Sequence, residues 1–139
     1  MGQPPGSGRQ RVLVAEDDDD LRQLWRAYLT LTGFVVSEAA NGADAVTRAT
    51  EDSPAVILMD FSMPGMDGAA AARALKGGPR TAGIPVIGLT AHGTAADAHD
   101  FHQVCDSVLE KPLSPEAVVE ALRRAVQRGN ASEPRPPAA

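Results

Sequence analysis

Acidic, hydroxyl and ammonium side chains in this sequence sit directly behind short apolar runs. Glu16 and Asp17 follow Val12-Leu13-Val14-Ala15, and Asp60 follows Val56-Ile57-Leu58-Met59. Thr90 follows the run from Ile84 to Leu89, and Lys111 follows Ser107-Val108-Leu109-Glu110. If these run-ends meet, three carboxylates share one small space, and each raises the others' pKa unless a cation intervenes. Hard oxygen ligands with room for water and phosphate suit Mg²⁺, which is usually bound through one or two carboxylates plus phosphate oxygens. With the ion bound, Asp60 stays ionised and is a carboxylate nucleophile toward phosphorus, the chemistry that yields an aspartyl phosphate. Lys111 and the Thr90 hydroxyl are then the groups that offset the negative charge spreading over the transferring group.

That meeting depends on the elements between the run-ends. The four apolar residues Val56 to Met59 read as a strand buried on both faces, with Asp60 at its carboxyl end and a loop punctuated by Pro64, Gly65 and Gly68 behind it. Taken in order, the pattern predicts a strand over Arg11–Ala15 and a helix capped by Asp18 or Asp19, with Leu21, Leu24, Trp25, Tyr28 and Leu31 as its apolar face and Gly33 as its stop. A strand over Phe34–Ala39 follows, then a helix capped by Asn41 that ends before Ser53-Pro54. A third helix runs from Ala69 to about Lys76, a strand covers Ile84–Leu89, and a thin helix runs from about Thr94 to Val104 on Ala95, Ala98, Phe101 and Val104. A short strand over Ser107–Leu109 precedes a last helix with Ser114 as cap, Pro115 at its first position and Val118, Val119, Leu122, Ala125 and Val126 as its buried stripe. Five alternations of strand and helix call for a parallel sheet covered on both faces, an α/β fold. In such sheets ligands bind outside the carboxyl ends of the strands, where the winding reverses. Residues 1–10, rich in Pro and Gly, read as a flexible lead-in, 11–128 as one domain and 129–139 as a disordered tail.

Composition narrows the partners. A chain of 139 residues is about one domain, 43% hydrophobic as in ordinary globular proteins, with a formal charge of −5 and no basic cluster to track a nucleic-acid backbone. The single cysteine, Cys105, excludes an internal disulfide and reads as a small buried thiol. No apolar run approaches a membrane span and no signal-peptide core opens the chain, so a cytoplasmic location without membrane contact is expected. The acidic run Glu16–Asp20 is not a calcium loop: an EF-hand starting at Asp17 wants Gly at Arg22 and Glu at Tyr28. His99 and His102 lie one helical turn apart without a third ligand nearby and mark an exposed helix face. The sequon Asn130-Ala131-Ser132 falls in the expected tail and is read as chance.

The Glu16-Asp17 pair, Asp60 followed by Met63-Pro64-Gly65-Met66-Asp67-Gly68, Thr90-Ala91 and Lys111-Pro112 occur in one order and at one set of intervals. Over roughly Arg11 to Arg128 the chain therefore resembles the response regulator receiver domains of two-component signalling. The resemblance implies a flavodoxin-like, doubly wound five-stranded parallel sheet of order 2-1-3-4-5 with five helices. It implies Asp60 as phosphoacceptor, Glu16, Asp17, Asp60 and the Ser62 backbone carbonyl as Mg²⁺ ligands, Lys111 as the contact to the phosphoryl group, Thr90 as the switch hydroxyl and a cis peptide at Lys111-Pro112. It also implies a histidine kinase or histidine phosphotransfer protein as donor and a downstream protein target. Ser62 and His92 take positions that tune hydrolysis of the phosphoaspartate. Members usually carry Tyr or Phe three residues before the Lys, where this chain has Val108.

The expected role is thus a phosphoacceptor signalling domain, not an enzyme acting on an external substrate, that shifts a protein-binding surface formed by the fourth and fifth strand–helix units. It is expected to stand alone without a DNA-binding output domain. The alternatives are a phosphorylation-independent docking module, against which the intact Glu16, Asp17, Asp60, Thr90 and Lys111 speak although Val108 keeps it open, and a receiver cut from a hybrid histidine kinase. An aspartyl-phosphate phosphatase or phosphotransferase would want a second acid two residues after the nucleophile, where Ser62 stands.

Overall fold

Apolar residues alternate between two destinations along each central strand, and the fold follows from giving both faces something to pack against. The computed structural model describes residues 9–91 and 99–132. In chain order these form β1 (Arg11–Ala15), α1 (Asp19–Leu31), β2 (Val35–Ala39), α2 (Gly42–Asp52), β3 (Val56–Asp60), α3 (Gly68–Gly77), β4 (Val86–Thr90), α4 (His99–Val104), β5 (Ser107–Glu110) and α5 (Pro115–Ser132). The sheet is parallel throughout, in the order β2-β1-β3-β4-β5. This is the expected flavodoxin-like architecture, with the winding reversing between β1 and β3.

Because side chains alternate faces along a strand, Val12, Val14, Val56, Leu58, Ile87 and Leu89 enter one core with α1 and α5. Leu13, Ala15, Ile57, Met59 and Val86 enter the other, with residues of α2, α3 and α4. β3 is buried at every position, as a central strand covered on both faces must be.

Local chemistry sets the helix starts. The Asp18 carboxylate accepts from the Leu21 N–H at 3.1 Å, Asn41 from the Asp44 N–H at 2.8 Å, Asp67 from the Ala70 N–H at 2.9 Å and the Ser114 hydroxyl from the Ala117 N–H at 3.3 Å. Of the two candidate caps for α1, Asp18 is the one used. The cis Lys111-Pro112 bond is present as expected.

Three expectations are corrected. The buried line of α1 is Trp25 and Leu29, flanked by the half-buried Leu21 and Tyr28, whereas Leu24 and Leu31 are 66% and 85% exposed. Neighbouring helical residues point about 100° apart, so Leu24 lies well round the helix from Trp25, and Leu31, two turns further on, shares its solvent-facing side. The second correction is that α5 continues through Gly129 and Asn130 to Ser132 instead of stopping at 128. Gly costs a helix only about 1 kcal/mol relative to Ala, and the first proline that could end it is Pro134. The sequon therefore begins on a helix. The third is that β4 starts at Val86, after Pro85, rather than at Ile84. The N-terminal part of the fourth helix expected from Thr94, including Ala95 and Ala98, lies outside the described residues, as does His92. Phe101 is fully buried, and His99 and His102 are exposed as expected. No helix among the described residues is long and apolar enough to cross a membrane.

The revised α1 face is tested by urea denaturation. Leu29→Ala is expected to cost about 3 kcal/mol, the loss for a buried leucine, and Leu24→Ala to change stability by no more than about 0.5 kcal/mol. Comparable losses for the two would restore the face read from the sequence.

Candidate functional site

The carboxyl ends of β1, β3, β4 and β5 carry the five side chains singled out from the sequence, and backbone pairing fixes how those ends line up. Ala15 lies beside Met59, Asp60 beside Leu89, and Thr90 beside Glu110. Three further bonds extend the ladders into the site: Glu16 N–H to Ala39 C=O at 3.0 Å, Phe61 N–H to Leu89 C=O at 2.9 Å and Lys111 N–H to Thr90 C=O at 2.8 Å. The acids thus stand on backbone that the sheet itself holds.

Glu16, Asp17 and Asp60 each offer a carboxylate oxygen within 4.8 Å of the others. Glu16 and Asp60 are both 4% exposed, while Asp17 faces solvent. Asp60 is held on two sides: the Lys111 ammonium donates to its Oδ1 at 2.9 Å and the Ser62 N–H to its Oδ2 at 3.0 Å. Thr90 is buried at the next strand end. All five expected side chains are therefore brought to one rim, and Ser62 is tied to it through its backbone.

The electrostatics are those of crowded anions. Burial pushes the Asp60 carboxyl above its usual value, and Asp17 adds to the rise against the Lys111 ammonium and the Ser62 N–H, which oppose it. Glu16 is pushed from 4.5 to about 7, again chiefly by burial, with the charge of Asp60 and the nearby Asp17 carboxylate adding to it. One Glu16 oxygen, Oε2, accepts from the Asp18 N–H at 3.1 Å. The other, Oε1, is buried and has no hydrogen-bond partner among the described residues. A buried oxygen left unsatisfied beside two further carboxylates is a site that a hard divalent cation completes, and the donor set suits Mg²⁺. Beside it an open hollow of about 420 Å³ is lined by Asp17, Phe61, Ser62, Met63, Pro64 and Asp67.

Two supports stand behind the rim, of which the sequence reading missed the first and saw the second only as a loop breaker and motif glycine. Arg22, one turn into α1, donates through Nη1 to the Glu16 carbonyl at 2.7 Å and through Nε to Glu38 at 3.0 Å, so it pins the turn that carries Glu16 and Asp17 to β2. Its signal was a lone arginine just behind an acidic run. Gly68 is the other: a Cβ there would lie 2.5 Å from the Asp60 carbonyl oxygen and 2.8 Å from Phe61 Cα. Its absence lets α3 begin against the strand end, with the Gly68 N–H closing the loop onto the Phe61 carbonyl at 2.8 Å. The Cys105 thiol is buried, and burial pushes its pKa up to about 12, which keeps it protonated and inert.

The chain has recognisable relatives. Residues 12–123 match the family model described as the response regulator receiver domain. The transcriptional regulatory protein SrrA of Staphylococcus aureus is 35% identical over 118 residues, covering 84% of this chain and 48% of its own length. The chain thus spans about half the length of the curated relatives it matches. Among solved structures, the receiver domain of a signal transduction histidine kinase from Syntrophus aciditrophicus superposes with a TM-score of 0.82 at 28% identity, covering 94% of this chain and 99% of that one. The receiver domain of the sensor histidine kinase PA1611 from Pseudomonas aeruginosa, solved with a magnesium ion coordinated in its active-site cleft, gives a TM-score of 0.80 at 28% identity, covering 86% and 99%.

Charge crowding makes a measurable demand on stability. The folded chain holds the Glu16 proton more tightly than the unfolded chain, so without metal the contribution of this group to stability is complete below 4.5 and is lost as pH rises through about 7. Glu16→Gln is expected to remove that dependence and to raise the melting temperature at pH 8 in chelator by about 4 °C per kcal/mol of repulsion relieved. Added Mg²⁺ should stabilise the parent more than the variant. Thermal melts across this pH range, with and without Mg²⁺, decide it, and identical profiles for parent and variant would refute the crowding.

Proposed function

We propose a function from one premise: the chain belongs to the response regulator receiver domain family. Such domains are signalling units and not enzymes with an external substrate. In this reading Asp60 accepts a phosphoryl group from the phosphohistidine of a histidine kinase or a histidine phosphotransfer protein. A carboxylate oxygen of Asp60 forms a bond to phosphorus while the bond from phosphorus to the donor imidazole breaks, and the imidazole nitrogen leaves with the electron pair.

The observation that carries the reading is the Lys111–Asp60 contact of 2.9 Å at the rim where Glu16 and Asp17 also stand. Lys111 favours the ionised form of Asp60 before transfer, opposing its burial, and is within reach of the phosphoryl oxygens after it. Glu16, Asp17, Asp60 and the Ser62 backbone carbonyl are the proposed Mg²⁺ ligands, and the ion, when bound, neutralises charge on the phosphoryl oxygens. Thr90, on the neighbouring strand end, is the proposed switch hydroxyl. The Ser62 N–H, already bonded to Asp60, orients the attacking carboxylate.

Modification adds nearly two negative charges at a rim where Lys111 and Thr90 can answer them, and the face built from β4, α4, β5 and α5 is the proposed output. A protein partner fits this face better than nucleic acid, since the chain carries a charge of −5. A cytoplasmic setting follows from the proposed donors.

Incubation with acetyl phosphate and Mg²⁺, followed by intact-mass analysis, tests the reading. The parent is expected to gain the mass of one phosphoryl group, Asp60→Asn to gain none, and Lys111→Ala to react about 10²-fold more slowly. A parent that stays unmodified beside a competent donor would leave a docking module that works without phosphorylation. Modification that persists in Asp60→Asn would move the acceptor elsewhere.

A further inference from the structure

We propose that Phe101 is a positioning residue that couples α4 to the state of Asp60, its ring seated in a cradle that Gly68 and Gly88 leave open. The inference rests on the phosphoacceptor reading and adds a route by which the site reaches the output face. Phe101 is the buried residue of α4, fully inaccessible, while His99, Asp100, His102 and Gln103 around it face solvent. The described part of α4 is therefore anchored chiefly through this ring, with the half-buried Val104 packing against the same cluster and Asp100 paired with Arg73 on the surface.

Three surfaces meet that ring. On the sheet side, a Cβ at Gly88 of β4 would lie 2.4 Å from Phe101 Cε2 and 2.5 Å from Cζ, so the ring occupies the space any other residue at 88 would need. On the α3 side, a Cβ at Gly68 would lie 3.0 Å from Phe101 Cε1, and the same Cβ would strike the Asp60 carbonyl oxygen at 2.5 Å. The third surface is Phe61, the residue next to Asp60, whose ring centroid is 5.1 Å from that of Phe101 at an interplanar angle of 50°, a tilted contact of the favourable kind. One side chain thus touches the residue behind Asp60, the glycine packed on the Asp60 carbonyl and the strand that ends two residues later at Thr90.

The neighbouring strand is shaped to match. Val108 of β5 is the register partner of Gly88 and packs against the same apolar cluster as Phe101. A ring at position 108 turned toward that cluster would compete with the Phe101 ring for the space over Gly88. The inward-facing ring over Gly88 thus comes from α4, while β5 offers Val108 there. A closely packed interior passes on small displacements, so a shift of the Asp60–Phe61 backbone moves the ring, and the ring moves α4.

The test uses the full 139-residue chain, with Phe101→Leu and Phe101→Met beside the parent. Each is treated with acetyl phosphate and Mg²⁺ and read in two ways: rate of phosphorylation by intact mass, and amide hydrogen exchange over residues 99–105 before and after modification. In the parent, modification is expected to change exchange in this segment by about fivefold, and in the variants by less than about 1.5-fold, while their phosphorylation rates stay within about twofold of the parent. Met is close to Phe in size and lacks only the ring, so it serves if the Leu variant does not fold. A purely structural anchor would speed exchange equally in both states and leave the ratio unchanged, and that result overturns the proposal. A phosphorylated parent without any change over 99–105 overturns it too. A parent that takes up no phosphoryl group overturns the phosphoacceptor reading itself, and the coupling with it.

Discussion

Three carboxylates held within 4.8 Å of one another at the rim of an apolar sheet are the constraint to which the rest of this structure answers. Left alone they would repel, protonate or turn outward to water. The sheet holds the two buried ones against that tendency: β1 and β3 are adjacent, buried and in fixed register, so Glu16 and Asp60 have no freedom to separate. Lys111 answers part of the charge from β5, the far edge of the sheet, and the remainder is a standing demand for a cation.

The supports around the rim share one logic: each fixes backbone, not only a side chain. Arg22 holds the Glu16 carbonyl, the Ser62 N–H holds the Asp60 carboxylate, and the ladder bonds at Glu16, Phe61 and Lys111 carry the sheet's rigidity into the site. The proposed phosphoryl transfer, which leaves the protein little covalent work, depends on such positioning. The same rigidity gives a local change somewhere to go. Phe101, wedged between the start of α3, Phe61 and β4, ties α4 to backbone that continues directly from Asp60.

The apolar face of α1 shows where pattern reading falls short. Leu24 and Leu31 satisfy helical periodicity as well as Leu29 does, yet they are exposed and Leu29 is buried. Periodicity identifies a helix and supplies candidate faces. The docking of α1 beside α5 against Val12, Val14, Val56 and Leu58 selects among them. The end of α5 carries a related lesson, since a glycine that reads as a stop is only a modest local cost in a helix already anchored by Val118, Leu122 and Val126.

What the amino-acid sequence determined by itself was every feature set by short-range chemistry. The alternation of strand and helix, a cap for α1 at Asp18 or Asp19, the caps at Asn41 and Ser114, and the acids and the lysine at the strand ends all follow from neighbours within a few residues. Only the tertiary structure decided which of those groups touch, which face of α1 is inside, that Arg22 and Gly88 belong to the site or its surroundings, and how closely Gly68 packs on the Asp60 carbonyl. The reason is physical: these depend on contacts between residues such as Lys111 and Asp60, or Phe101 and Gly68, that are far apart in the chain, and no local pattern encodes a distance across the sheet.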